Sequence, residues 1–199
     1  GAEIIRMLKT LVKDKNFNNG FSNFISTYDG KAATIDQFVD KILENNKEIN
    51  IDKFKTWYKQ NGTPLVKFKR KWDKEKQILK IQVSQVNSNK KNLYNDLPLI
   101  IPINIAIFLN SYEKINKTLI LKEKEEEFTL ENINSKFDSP IISYFRNFSA
   151  PIKWETDTTF AEKLLILEFE TDYFTIYDTI KGIYKKIICK RISEEPDFN

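Results

Sequence analysis

The stretch Trp57-Tyr58-Lys59-Gln60-Asn61-Gly62-Thr63-Pro64, continued by Leu65-Val66-Lys67-Phe68, divides the chain into two kinds of structure. Before Pro64 the apolar residues recur at three- and four-residue intervals; after it they alternate with polar ones. The first spacing sets side chains on one face of a helix, the second on one face of a strand. Asn61-Gly62-Thr63-Pro64 marks the break, since glycine and proline both end helices there.

Upstream of the break, Ile4, Ile5, Leu8, Leu11 and Val12 predict one helix, and Phe17, Phe21, Phe24 and Ile25 a second, closed by a turn at Asp29-Gly30. Thr34-Ile35-Asp36-Gln37 has the form of a capping box, a hydroxyl three residues before a glutamine. It opens a helix that carries Ile35, Phe38, Val39, Ile42 and Leu43 on one face. A shorter helix from about Asp52 presents Phe54, Trp57 and Tyr58.

Downstream, Val66 and Phe68, then Leu79, Ile81 and Val83, alternate as half-buried strands do, with Asp73-Lys74-Glu75-Lys76 as the turn between them. Residues 99–109 form a nearly continuous apolar run, which predicts a strand buried on both faces. Further short strands are expected over 118–121, 127–130, 141–145 and 151–154. Turn signals at roughly 8–12-residue spacing make this region a compact antiparallel sandwich. From Asp157 the helical period returns. Phe160, Leu164, Leu165 and Leu167 predict one helix, and Asp172 caps another bearing Phe174, Tyr177, Ile180, Ile183, Tyr184, Ile187 and Ile188.

Composition bounds the function. With 41% hydrophobic and 30% charged residues the chain is of ordinary globular type, and no apolar run approaches the ~20 residues that span a bilayer. The net charge of +4 comes from 32 basic and 28 acidic residues interleaved along most of the chain, so it supports no strong claim for a nucleic-acid partner. There is no histidine and a single cysteine, Cys189. That excludes an internal disulfide and removes the usual ligands of catalytic zinc. Without a histidine base Cys189 reads as a buried structural thiol rather than a nucleophile.

Other clusters resolve to structure. Glu123, Glu125, Glu126 and Glu127 lack the glycine-bearing loop of a calcium site and read as a solvated charge run. Lys67-Phe68-Lys69-Arg70-Lys71-Trp72 could hold phosphates and stack bases, but it reads as a strand with Phe68 inward and its lysines in water, guarding an edge. Trp57 and Trp154 are expected to pack at the two domain junctions, and residues 87–95, rich in asparagine, to form a surface loop.

Several motifs in collinear order resemble the aminopeptidase N family of zinc exopeptidases, in its bacterial, cytoplasmic form. They are Gly1-Ala2-Glu3-Ile4-Ile5-Arg6-Met7, Asp29-Gly30-Lys31-Ala32-Ala33-Thr34, Trp57 to Pro64, Leu97-Pro98-Leu99-Ile100-Ile101-Pro102-Ile103, and Phe145-Arg146-Asn147-Phe148-Ser149-Ala150-Pro151-Ile152. Asp172-Tyr173-Phe174 with Tyr177-Asp178 resembles the opening helix of that family's C-terminal domain. The family's His-Glu-x-x-His zinc pair, the glutamate completing the site, the Gly-x-Met-Glu-Asn loop and the catalytic tyrosine have no counterpart here. No catalytic, cofactor-binding or metal-binding role therefore carries over to any position.

The resemblance implies an α+β arrangement in three parts: helices over 1–64 that end a thermolysin-like catalytic domain, an Ig-like antiparallel β-sandwich over 65–155, and over 156–199 the first helices of a C-terminal helical domain. Gly1 opens straight into a helical pattern, as an excised segment does. On this reading the stretch is a structural part of a zinc aminopeptidase that removes N-terminal residues from peptides in the cytoplasm, inactive alone and without a cofactor of its own. Its partners are then the remaining domains, with no nucleic acid and no membrane, and exposed helix faces drive self-association. The alternative is an independent, non-enzymatic Ig-like binding module with helical flanks. Uncovered apolar helix faces favour the first reading; faces packed away within the chain favour the second.

Overall fold

The computed structural model describes residues 1–87 and 97–194, so most of the asparagine-rich stretch expected as a loop lies outside the described residues. Three helices come first: α1 (Ala2–Tyr28), α2 (Ile35–Leu43) and α3 (Ile51–Lys59). Seven strands come next: β1 (Pro64–Asp73), β2 (Ile78–Asn87), β3 (Ile101–Phe108), β4 (Lys114–Leu121), β5 (Glu125–Leu130), β6 (Ile141–Tyr144) and β7 (Lys153–Glu155). Two helices close the order, α4 (Phe160–Phe169) and α5 (Tyr173–Glu194).

The helices start and stop where the sequence provides caps. α1 breaks at Lys13, whose backbone (φ 66°, ψ 162°) is not helical, and so becomes the two arms expected from the spacing. The capping box at α2 is complete: Thr34 Oγ1 accepts the Gln37 N–H at 3.3 Å, and Gln37 Oε1 accepts the Thr34 N–H at 2.8 Å. α3 is capped by Asn50, whose side chain accepts the Lys53 N–H at 2.8 Å. A second capping box, Thr159 with Glu162, opens α4. Gly20 is there for close approach, because a Cβ at that position would lie 2.7 Å from the Ile42 Cα of α2.

The strands form two sheets, ordered β5-β2-β1-β7 and β4-β3-β6. β1 and β2 make the predicted hairpin, with Phe68 opposite Val83. Pairings are antiparallel with one exception: β7 lies parallel to β1, with Leu65 opposite Lys153 and Lys67 opposite Glu155. No local pattern signals that parallel pair, since β7 is three residues long and reaches β1 only after the chain has crossed to the second sheet. Beyond Lys67, β1 has no β7 partner and becomes an edge. There Lys69 and Lys71 point to solvent and Phe68 is buried, as predicted.

One core runs through both the front helices and the sandwich. Met7, Leu8, Val39, Ile42 and Phe54 share it with Val66, Ile81, Ile103 and Phe145. The apolar run of β3 is explained by cover on both faces. Ile101, Ile103, Ile105 and Ile107 enter this main core, while Ala106 and Phe108 turn to the other side and meet Ile166 of α4. Trp57 packs where α3 meets the sandwich, and its indole N–H donates to the Ile100 carbonyl at 2.9 Å.

Candidate functional site: a helix–sandwich joint

The segment between β6 and β7 touches both helical ends of the chain. Phe145, Asn147 and Phe148 all have positive φ (54°, 56° and 43°), and a short 3-10 turn spans Arg146–Phe148. Left-handed backbone at bulky residues costs about 1–3 kcal/mol each and persists only where the surroundings hold it. Here the surroundings are specific. Arg6 of α1 donates to the carbonyls of Asn147 and Phe148 and places its guanidinium 5.3 Å from the Phe148 ring. Ser149 Oγ accepts the Asn104 N–H of β3 at 3.1 Å. Asp172 accepts the Asn147 N–H at 2.9 Å and also caps α5 through the Thr175 N–H at 2.9 Å. Phe174 packs between Phe148 and Trp154 with its ring tilted to both, centroids at 4.9 and 6.1 Å.

Behind this segment lies Glu170, whose side chain has no solvent exposure. Its carboxylate accepts hydrogen bonds from Ser143 of β6, from Arg146 Nη2 at 3.0 Å and Nε at 3.1 Å, and from the Thr171 and Asp172 N–H groups at 2.6 and 2.9 Å. Lys114 Nζ stands 3.7 Å away. Burial pushes this carboxyl up, but the hydrogen bonds from Ser143, from the two backbone N–H groups and from Arg146 outweigh it and hold it below the usual carboxylate range. Asp172 and Glu162 are held low in the same way, against the push of burial, Asp172 by the N–H groups of Asn147 and Thr175 and Glu162 by Thr159 and Arg70.

Arg70 forms a second fastening. It extends from the inner face of β1 to pair with Glu162 of α4 and Asp157, and donates to the Pro140 carbonyl at 3.1 Å. Sequence reasoning gave Arg6, Arg70, Arg146 and Glu170 no part in such pairings. For Arg70 a signal existed, because it falls in the same alternation as the buried Val66 and Phe68. The pairing of Glu170 with Arg146 spans two elements that only the fold brings together.

The other sequence readings sort cleanly. Trp154 packs on Phe145 and Phe174. The acidic run is tied to the fold: Glu123 pairs with Lys53 of α3 at 2.7 Å, Glu127 with Lys80 of β2 at 3.0 Å, and Glu126 accepts the Lys122 and Glu123 N–H groups. Cys189 corrects the expectation of a buried thiol, since it is exposed. The reason is that α5 projects past the sandwich, so that residues 184–193 are exposed on every side. The stripe on α5 is accordingly uncovered: Tyr177 and Tyr184 are 63% and 62% exposed, and Ile180, Ile187 and Ile188 are also exposed.

The donor set does not suit zinc. The chain has no histidine, Cys189 stands alone on α5, and among the described residues no three Cys, Asp or Glu side chains gather closely enough to hold a metal. Among those residues, too, no helix is long and apolar enough to cross a membrane.

Residues 62–157 match a family model described as a domain of unknown function (DUF3458) with an Ig-like fold. Beyond that region the similarity continues to both ends. Aminopeptidase N of Haemophilus influenzae is 27% identical over 96% of this chain, and that of Escherichia coli 28% identical over 92%. Aminopeptidase N of Caulobacter vibrioides is 28% identical over 99% of the chain. The chain spans only 22–23% of the length of these relatives. A crystal structure of Legionella pneumophila aminopeptidase A in complex with aspartic acid has the same fold, with a TM-score of 0.83 at 24% identity over 98% of this chain and 22% of that one. Residues 62–157 thus resemble the DUF3458 Ig-like domain, and over nearly its whole length the chain is similar to aminopeptidase N.

Proposed function

We propose that this chain is the structural joint of a zinc-dependent aminopeptidase of the N type. In this reading the helices over 1–64 end the catalytic domain, the sandwich over 65–155 is a spacer, and the helices over 156–199 begin a C-terminal helical domain. The joint performs no chemistry. It fixes the angle between the catalytic domain and the C-terminal helices, through Arg6 on one side and the Glu170–Arg146 and Arg70–Glu162 pairs on the other. The zinc, the peptide substrates and the cytoplasmic setting belong to the whole enzyme.

The observation that carries this reading is that similarity to aminopeptidase N runs through both helical ends as well as the sandwich. An independent Ig-like module needs relatives in the sandwich alone. The uncovered stripe on α5 supports the same choice, since an independent module has its helix faces packed away. The partners on this reading are the other domains of the enzyme, not nucleic acid or membrane. Released from those domains, the chain self-associates through the α5 stripe.

Two measurements test it. The gene should encode a His-Glu-x-x-His sequence upstream of Gly1; a reading frame with no such sequence refutes the proposal. The purified chain should hydrolyse no aminoacyl amide and hold no stoichiometric zinc. One tightly held zinc per chain together with turnover overturns it.

A further inference from the structure

α5 is docked by one side of its first half only. Phe174 and Thr175 face the sandwich, and Asp178 and Gly182 line a cavity of about 320 Å³ against it. On the opposite side Tyr177, Ile180, Tyr184 and Ile187 succeed one another at intervals of three and four. That alternation sets knobs along the seam of a helix pair. Tyr177, Ile180 and Tyr184, with Ile188, Cys189, Lys181 and Lys185, border an open apolar groove of about 540 Å³.

The charges around the seam are of one sign. At about 100° per residue, Lys181 and Lys185 flank one edge of the stripe and Lys190 lies toward the other, with Arg191 at its far end; Lys186 turns instead to the Phe160 ring of α4, 5.9 Å away. The helix carries five lysines and arginines against two carboxylates, and one of those, Asp178, is on the docked side.

We propose that α5 receives an acidic amphipathic helix: one with an apolar seam of three-and-four spacing, flanked by glutamates or aspartates. This inference rests on reading the chain as a joint and names the chemistry of the element that the joint receives. A second copy of the chain is the poorer occupant, because it sets five cations against five. A lipid surface is also disfavoured. The stripe is made of Tyr and Ile and spans roughly 100° with Ile188 included, whereas a helix lying in a membrane presents a broader face of Trp, Phe and Leu.

The test uses the purified chain and two labelled helical peptides with the same leucine seam, one flanked by glutamates and one by lysines. Binding is read by fluorescence anisotropy. The glutamate peptide should bind about tenfold tighter at low salt, as expected for a few solvent-exposed ion pairs, and the preference should shrink as salt is added. Lys181→Glu with Lys185→Glu should invert the preference. Tyr184→Asp, on an exposed position that leaves folding intact, should abolish binding of both peptides. Equal binding of the two peptides, or no binding of either, overturns the proposal. So does capture of the chain by phosphatidylglycerol vesicles without binding of the glutamate peptide. If any of these occurs while the gene does encode the upstream His-Glu-x-x-His, the joint reading stands and only the partner chemistry is withdrawn.

Discussion

Replacing Glu170 by alanine removes the acceptor on which the back half of the joint converges. Four partners lose it together: the Ser143 hydroxyl, the Arg146 guanidinium and the N–H groups of Thr171 and Asp172. Ser143 is fully buried and the Arg146 side chain is 19% exposed, so water cannot fully replace the carboxylate. Removing one partner of such a buried pair costs about 3–5 kcal/mol, a large part of the 5–15 kcal/mol that holds a typical domain. Glu170→Gln keeps the shape but loses the charge, and should cost about 2 kcal/mol, in the range of one charge-assisted hydrogen bond. Urea unfolding followed by circular dichroism gives the energies, and tryptophan fluorescence reports on Trp154, which packs against Phe174. The alanine variant should also lose hydrogen-exchange protection across α4 and the first half of α5, while β1 to β3 keep theirs. If Glu170→Ala is within about 1 kcal/mol of wild type and α5 is equally protected, Glu170 does not hold the joint and the reasoning fails.

The remaining predictions concern other sites. Because Glu170, Asp172 and Glu162 are held below their ordinary values of 4.5, 3.8 and 4.5, they stabilise the fold above those values. That contribution is lost as pH falls through the lower folded values; an acid titration should therefore free α4 and α5 before the β1/β2 hairpin melts, and simultaneous loss refutes this. Gly20→Ala gains about 1 kcal/mol of helix propensity but forces its Cβ against the α2 backbone, so net destabilisation of about 1–3 kcal/mol is expected by chemical denaturation; a stabilised variant contradicts the close approach. The Tyr144 hydroxyl is buried without a hydrogen-bond partner among the described residues, so Tyr144→Phe should leave stability unchanged or raise it by up to about 1 kcal/mol, and a clear loss in thermal melts argues against that geometry. Self-association through α5 should grow with salt as its cations are screened, and sedimentation showing a monomer at all salt concentrations refutes it.

Element types and their order were legible in the residues alone, because they depend on local spacing and local caps. Thr34 with Gln37, Asp172 before α5, and Val66 and Phe68 facing inward are set by neighbours within four residues, and each is found as read. The continuous run of β3 announced cover on both faces without saying what supplied it. Only the fold revealed that α4 covers one side. The same limit applies to the joint. Arg6 meets Phe148 across 142 residues and Arg70 meets Glu162 across 92; a charged residue that will be buried in such a pair has the same local signature as one left in water. Cys189 fails for the converse reason: the lack of a histidine base made it read as a buried structural thiol, but burial requires a second surface, and no part of the described chain reaches that side of α5. Sequence thus determined which faces are apolar and which segments become helix or strand. Tertiary structure decided which faces meet, because contact depends on where distant segments arrive and not on the residues that bear the face.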